Sequence, residues 1–318
     1  MIRMRRGLVV LSVALAVGWA AAAMAAPAAD LFQDMIEAAA RGDTATVQAQ
    51  LADGADVNAR KSNGASALFM ASQNGHADVA QVLLAKGAEI NAATPEGTTP
   101  LMQASLRGHG DVVRLLLAKG AAIDALEDDG ATALILACQN GNLDVVLALL
   151  AKGAGANVVA QQGWTALILA AQNGNVDVVQ ALLDKGAEVN AAAEDGRTAL
   201  MGAAQKGYRE VVQVLLAKGA NVNAKNKVGA NALMAAAFND HLELAIVLLA
   251  KGADVNAKNN NGASALMAAA HSGDTVLVQV LLAKGADVNA KTGNGTTALA
   301  LAQDPDVTAL LVKAGATQ

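Results

Sequence analysis

The chain has 318 residues, 54% hydrophobic but only 2% aromatic, with Ala dominating the apolar count, so a large core is open to it only through closely packed, small-faced helices. Its formal charge is −5; without Arg3, Arg5 and Arg6 the 23 basic residues fall to 20 against 28 acidic ones, a net of −8. That balance repels nucleic acid and anionic membrane surfaces and favours basic partners.

Residues 1–25 read as a secretory signal. Arg3, Arg5 and Arg6 precede an apolar run from Leu8 to about Ala22, and Ala23-Met24-Ala25 places the cleavage after Ala25. The rival is an uncleaved N-terminal anchor, because the run approaches the roughly 20 residues that cross a bilayer. No cysteine follows the run, so a lipoprotein is excluded. Either way the remainder is expected outside the cytoplasm, periplasmic or secreted. After a short linker, 26–29, residues 30–60 read as a helical hairpin, with Leu31, Met35, Ile36 and Ala39 on one face and Val47 and Leu51 on the next helix. Thr46 and Gln50 stand where Val79 and Leu83 appear one copy later, the polar outer face of an N-terminal cap.

From residue 61 to 291 the register is strict. Two glycine series, Gly64 to Gly295 and Gly54 to Gly285, each recur every 33 residues, which marks seven full copies of one unit. In the copy from Ala160 to Ala192, Thr165 caps a first helix whose packed face is Leu167, Ala170 and Ala171. Gly174 reverses the chain. Asp177 then opens a second helix, Val178, Val179, Leu182 and Leu183 form its apolar stripe, and Lys185 complements the dipole at its end. Residues 292–318 close the array with a copy shortened near Asp304-Pro305-Asp306, a C-terminal cap.

The pattern T-A-L-x-x-A-A-x-x-G, then D-V-V-x-x-L-L-x-K-G-A-x-V-N-A, is similar to the ankyrin repeat. The resemblance implies an all-α solenoid of about nine stacked helix-turn-helix units including caps, with β-hairpin fingers at right angles. It also implies binding through the fingers and the concave inner helices. At the helix spacing of 8–10 Å the stack would be on the order of 70–90 Å long. One departure is consistent: the family's T-P-L-H becomes T-A-L followed by Phe69, Met102, Ile135, Ile168, Met201, Met234 or Met267, with the proline kept only at Pro100. Apolar packing is expected in place of that histidine ladder.

Chemistry-bearing residues follow the repeat rather than standing apart from it. His76, His109 and His241 share one repeat position, so neighbours sit roughly 8–10 Å apart, too far for two to ligate one zinc, and His271 is alone elsewhere. The lysines from Lys86 to Lys284 sit where helix C-termini want positive charge. The row Asn58, Asn91, Asn190, Asn223, Asn256 and Asn289 is scaffold. Cys138, the only cysteine, excludes an intrachain disulfide and is expected as a small buried apolar residue. With no nucleophile–base pair, carboxylate dyad or phosphate loop, no catalytic, cofactor or metal residue is expected.

The sequence therefore points to an exported bacterial protein-interaction scaffold, monomeric, for a basic partner with an apolar insert. The alternatives are a secreted effector acting on a host protein and a catalytic or metal-dependent protein. Partner information should lie where one copy breaks from the others. One break is the finger around Gly163: Val158, Val159, Gln161, Gln162 and Trp164 carry no charge, and Trp164 is the only tryptophan beyond the leader. Arg197 rims it on the next finger, and Gln172, Asn173 and Lys206 extend the expected contact along the inner helices. The other break is the copy from Asn226 to Lys258, where Asn231 replaces the capping Thr and Asp240 the turn glycine; Phe238 there and Tyr208 one copy earlier either share a surface or reflect drift of single substitutions.

Overall fold

A computed structural model describes residues 28–317, with side chains from Asp34 onward, so the expected signal sequence and cleavage site lie outside the described residues. From the second unit on, a buried side-chain oxygen starts the first helix. Ser66, Thr99, Thr132, Thr165, Thr198, Asn231, Ser264 and Thr297 each accept the backbone N–H three residues on. These caps open the inner helices Ala67–Gln73, Pro100–Arg107, Ala133–Gln139, Ala166–Gln172, Ala199–Lys206, Ala232–Phe238, Ala265–Ser272 and Ala298–Leu301, which follow Ala28–Arg41 of the first unit. A left-handed turn then leads into the outer helices Thr44–Ala52, Ala77–Ala85, Gly110–Ala118, Leu143–Ala151, Val176–Asp184, Arg209–Ala217, Leu242–Ala250 and Thr275–Ala283, whereas the last, Pro305–Lys313, is reached without one.

The core is one continuous seam between the two helix layers. Leu68, Leu101, Leu134, Leu167, Leu200, Leu233 and Leu266 from the inner layer meet Leu83, Leu116, Leu149, Leu182, Leu215, Leu248 and Leu281 from the outer, all buried. The residues replacing the family's histidine, Phe69 through Met267, are buried as well, so apolar packing fills that row. Alanines such as Ala71, Ala104, Ala137 and Ala170 are fully buried between successive inner helices. Inner helices therefore lie closer together than outer ones, and the stack bends with its inner face concave.

Units are joined by polar staples at fixed register. Asn223 donates from Nδ2 to the Gly252 carbonyl at 3.0 Å while its Oδ1 accepts the Asp254 N–H at 2.8 Å. Asn58, Asn190, Asn256 and Asn289 repeat this pair of bonds, and so does Asn157, which shares their register but is masked in the sequence by an atypical neighbourhood. At Asp124 the staple is half made. Its carboxylate accepts the Gly155 N–H at 3.0 Å but has no hydrogen to give the Gly153 carbonyl. On the other side of the stack the turn histidines tie unit to unit: Nε2–H of His76, His109 and His241 donates to the carbonyls of Ala40, Gln73 and Gln205 at 3.1, 2.9 and 3.2 Å.

The fingers are not β-hairpins with paired strands. Among the described residues they are tight turns, three of them closed by a single bridge, Arg60–Ser66, Val159–Thr165 and Ala192–Thr198. Only one or two residues flank each turn, too few for a ladder. The fingers instead bond to one another: the N–H of Asp128, Gln161, Glu194, Lys227, Asn260 and Gly293 each donates to a carbonyl of the preceding finger at 2.6–3.0 Å. Pro95 has no N–H to offer, so this row begins at Asp128, in the fourth unit.

The sixth full copy violates two local rules. Asn231 is 1% exposed; its Oδ1 caps the Met234 N–H at 3.0 Å, but its Nδ2 has no partner. Asp240 holds the left-handed turn at φ +56° where its siblings have glycine. Three substitutions should stabilise the array in urea titrations. Asn231→Thr removes a buried orphan donor, worth about 1–3 kcal/mol, and Asp124→Asn completes a staple, worth about 0.5–1.5 kcal/mol. Asp240→Gly relieves a left-handed side chain, worth about 1 kcal/mol. A midpoint unchanged by all three would contradict these assignments.

Candidate interaction faces

On the concave side one register of the inner helices holds Met70, Gln103, Leu136, Leu169, Gly202, Ala235, Ala268 and Leu301, of which all but the buried Leu136 and Gly202 are partly exposed. At Ala235 and Ala268 the side chain shrinks to a methyl, and beside them lies a trough of about 510 Å³. Ala235, Ala268 and the thioether-bearing Met234 and Met267 line it, Leu301 closes one end, and His271 stands at its edge. Phe238 projects into this trough 70% exposed. A phenylalanine left that far in water beside an apolar depression marks a contact surface.

The finger at Gly163 is built differently from its neighbours. Gln162 adopts φ +59° and Gly163 φ +78°, two successive left-handed residues, and the Gln162 carbonyl accepts the Glu194 N–H at 2.7 Å. A side chain at Gly163 would come within 2.6 Å of the Glu194 nitrogen, so the next finger packs directly on that backbone. Gln161 is bound to the preceding finger twice, through its N–H to the Asp129 carbonyl at 2.6 Å and its Nε2 to the Asp128 carbonyl at 3.1 Å. Trp164 is half-buried, with the Arg197 guanidinium 5.1 Å from its ring centroid. Arg197 in turn pairs with Asp195. Desolvation alone would raise the Asp195 carboxyl, but the Arg197 N–H and guanidinium more than offset it and hold the group below the usual carboxylate range. Gln162, Trp164, Asp195, Arg197 and Lys227 line a shallow concavity of about 260 Å³ between these fingers.

The sequence model of one family, ankyrin repeats (3 copies), matches residues 35–127, 120–193, 190–259 and 233–318. The chain belongs to the ankyrin-repeat family. A solved structure similar to it is the human ASB11 ankyrin repeat domain, with a TM-score of 0.62 and 26% identity over 70% of this chain and 100% of that one. No curated protein matches it.

Within this ankyrin array the residues singled out in the sequence separate into two places. Val158, Val159, Gln161, Gln162, Trp164 and Arg197 do converge on adjoining fingers, but the apolar surface they offer is Val159, 58% exposed, while Trp164 is engaged by Arg197. Asn173 is used internally, donating to the Gln139 carbonyl at 2.7 Å, and half-buried Gln172 lies against Gly202. Lys206 is exposed at the end of its inner helix. Tyr208 and Phe238 do not share a surface: Tyr208 takes the turn-histidine position against Gly174, in a depression with Val176 and Arg209, whereas Phe238 lies in the trough. The trough's other walls were missed, although the pair Ala235 and Ala268, in a row that elsewhere holds Met, Gln and Leu, is visible in the sequence.

Cys138 is fully buried, and desolvation pushes its thiol far above the ordinary range, so it has neither the access nor the thiolate needed for reaction. Two measurements follow. In folded protein the thiol resists Ellman's reagent and reacts once urea unfolds the central units; rapid labelling of the native state would contradict its burial. Arg197→Ala in the chain lacking the leader uncovers the Trp164 ring, so its emission shifts to the red and acrylamide quenching increases; an unchanged spectrum would mean that the guanidinium does not cover the indole.

Proposed function

We propose that this ankyrin-repeat chain is a non-catalytic scaffold acting outside the cytoplasm, which docks a protein partner on its concave face around Phe238. Ankyrin repeats bind protein partners, and the observation that carries the placement is a 70% exposed phenylalanine over an apolar trough in an otherwise alanine-smoothed face. The partner inserts an apolar side chain between Phe238 and Leu301, and the pliable thioethers of Met234 and Met267 adapt to its shape. Binding is mass action on a preformed surface, with no bond made or broken.

Export rests on the leader sequence, with its basic start, apolar run and Ala23-Met24-Ala25 exit. No described helix is long and apolar enough to cross a membrane. The chain is placed in the periplasm of a Gram-negative-type bacterium, with release to the medium as the competing destination.

The test is affinity capture from envelope extracts with the chain from Ala26 onward, compared with Phe238→Ala. Truncating a central exposed anchor should weaken retention of the specific partner by about 2 kcal/mol, some thirtyfold, with the fold intact by circular dichroism. Equal retention by both proteins would remove the trough from the function. N-terminal sequencing of the protein from periplasm and medium reads the destination; an intact leader on a cytoplasmic product would overturn export.

A further inference from the structure

A second row, at the base of each finger, carries one residue per unit: Arg60, Ala93, Leu126, Val159, Ala192, Lys225, Lys258 and Lys291. It is a cation, four apolar residues, then three cations. Leu126 and Val159 are 57% and 58% exposed, and Ala192 beside them is exposed as well. Where a cation stands in this row it can be satisfied by the next unit: Arg60 reaches the Ala93 carbonyl and Glu89, each at 2.8 Å, and Lys225 reaches the Lys258 carbonyl at 3.0 Å. Leu126 and Val159 cannot make such bonds and leave apolar surface in water.

The finger tips change charge over the same units. Three of the four tips above the apolar bases carry acids, Glu96 on the first, Glu127, Asp128 and Asp129 on the second and Glu194 and Asp195 beside Arg197 on the fourth, while the third, at Gly163, is uncharged; the tips of the flanking fingers hold Lys61 on one side and Lys227 on the other and no acid. Asp128, Asp129 and Glu194 are exposed, and no ion pair engages them among the described residues. Exposed apolar surface and negative charge therefore adjoin on the fingers from Leu126 to Ala192, with Leu126 below Asp128 and Asp129, Val159 on the uncharged finger between them, and Ala192 below Glu194. Val228, 62% exposed, continues the apolar surface onto the finger that carries Lys227.

We infer that the three fingers at Gly130, Gly163 and Gly196 bind an extended, lysine- or arginine-rich segment of a protein partner, with its apolar side chains on Leu126 and Val159 and its cations at Asp128, Asp129 and Glu194. This rests on the reading of the chain as a protein scaffold, but it concerns a surface separate from the Phe238 trough. The spacing fits. Units recur at roughly the 8–10 Å of packed helices, and a polyproline II segment returns the same face about every 9.3 Å, so residues three apart meet successive fingers. The backbone bonds from finger to finger hold the edge rigid, which lowers the ordering cost on this side of the complex.

The probe is a synthetic peptide of about 12 residues, lysine-rich, with two leucines three positions apart. It is titrated into the chain from Ala26 onward while Trp164 fluorescence is followed, and affinity is read by calorimetry. Saturable binding that weakens with added salt is expected. Lysine occurs naturally at the register of Asp128 and Glu194, as Lys227, so Asp128→Lys with Glu194→Lys preserves the fold and should lower affinity about tenfold or more. Leu126→Thr with Val159→Thr should lower it severalfold and abolish the preference over a peptide with adjacent leucines. Phe238→Ala should leave the titration unchanged. Three results overturn the inference: no saturable binding, affinity indifferent to both double substitutions, or loss of peptide binding with Phe238→Ala, which would place the basic segment in the trough. Should the peptide bind as expected while Phe238→Ala retains the cellular partner, the fingers stand and the trough reading fails.

Discussion

No unit of this chain can satisfy itself. Its outer loop leaves a glycine carbonyl and a nearby N–H unpaired, and the asparagine that completes them belongs to the unit before, as Asn223 does for Gly252 and Asp254. Its inner helix ends in a carbonyl that the next unit's turn histidine or asparagine caps, as His109 does for Gln73. Each bond is worth about 1 kcal/mol net, but several recur at every junction beside a seam of buried leucines, so neighbour coupling dominates. The strict 33-residue spacing follows, because an inserted residue would carry both staple partners out of reach.

That constraint decides where function can reside. Positions that staple or fill the seam are interchangeable between units, and their uniformity carries no information about a partner. Rows that face solvent are free to vary, and two of them vary in runs. On the concave side the run reduces the side chain to a methyl at Ala235 and Ala268 and opens a trough beside Phe238. On the fingers the run exchanges cations for Ala93, Leu126, Val159 and Ala192. Runs matter because adjacent units make one continuous surface, whereas an isolated substitution such as Leu147 on the outer face, 49% exposed, stays an island.

The fold was legible because glycine period, capping hydroxyls and apolar stripes all point the same way. Asp240 and Asn231 were legible as breaks, but their consequences were not: only coordinates show Asn231 Nδ2 buried without a partner, or Asp240 held at φ +56°. Trp164 was misleading in a specific manner. A lone tryptophan at a finger tip reads as an exposed anchor, yet the ring lies under Arg197 from the following unit, a contact 33 residues away that no local pattern announces. Tyr208 misled similarly, because its turn position packs against the preceding unit's glycine instead of facing the trough. Sequence read within one copy found anomalies; read down one register across all copies it would have found the faces.

The two faces also differ in how they would discriminate. The trough is selective by shape: its adaptable methionines accept many apolar side chains, so affinity there comes with modest specificity. The finger edge is selective by sign and by spacing, since cations at either end of the apolar run repel a basic segment that slips out of register. A partner carrying both an apolar anchor and a basic extension would engage the second site at high effective concentration once held at the first. Modest contacts on a stiff array then suffice for a tight complex, and the stiffness comes from the same staples and finger bonds that let the units stack at all.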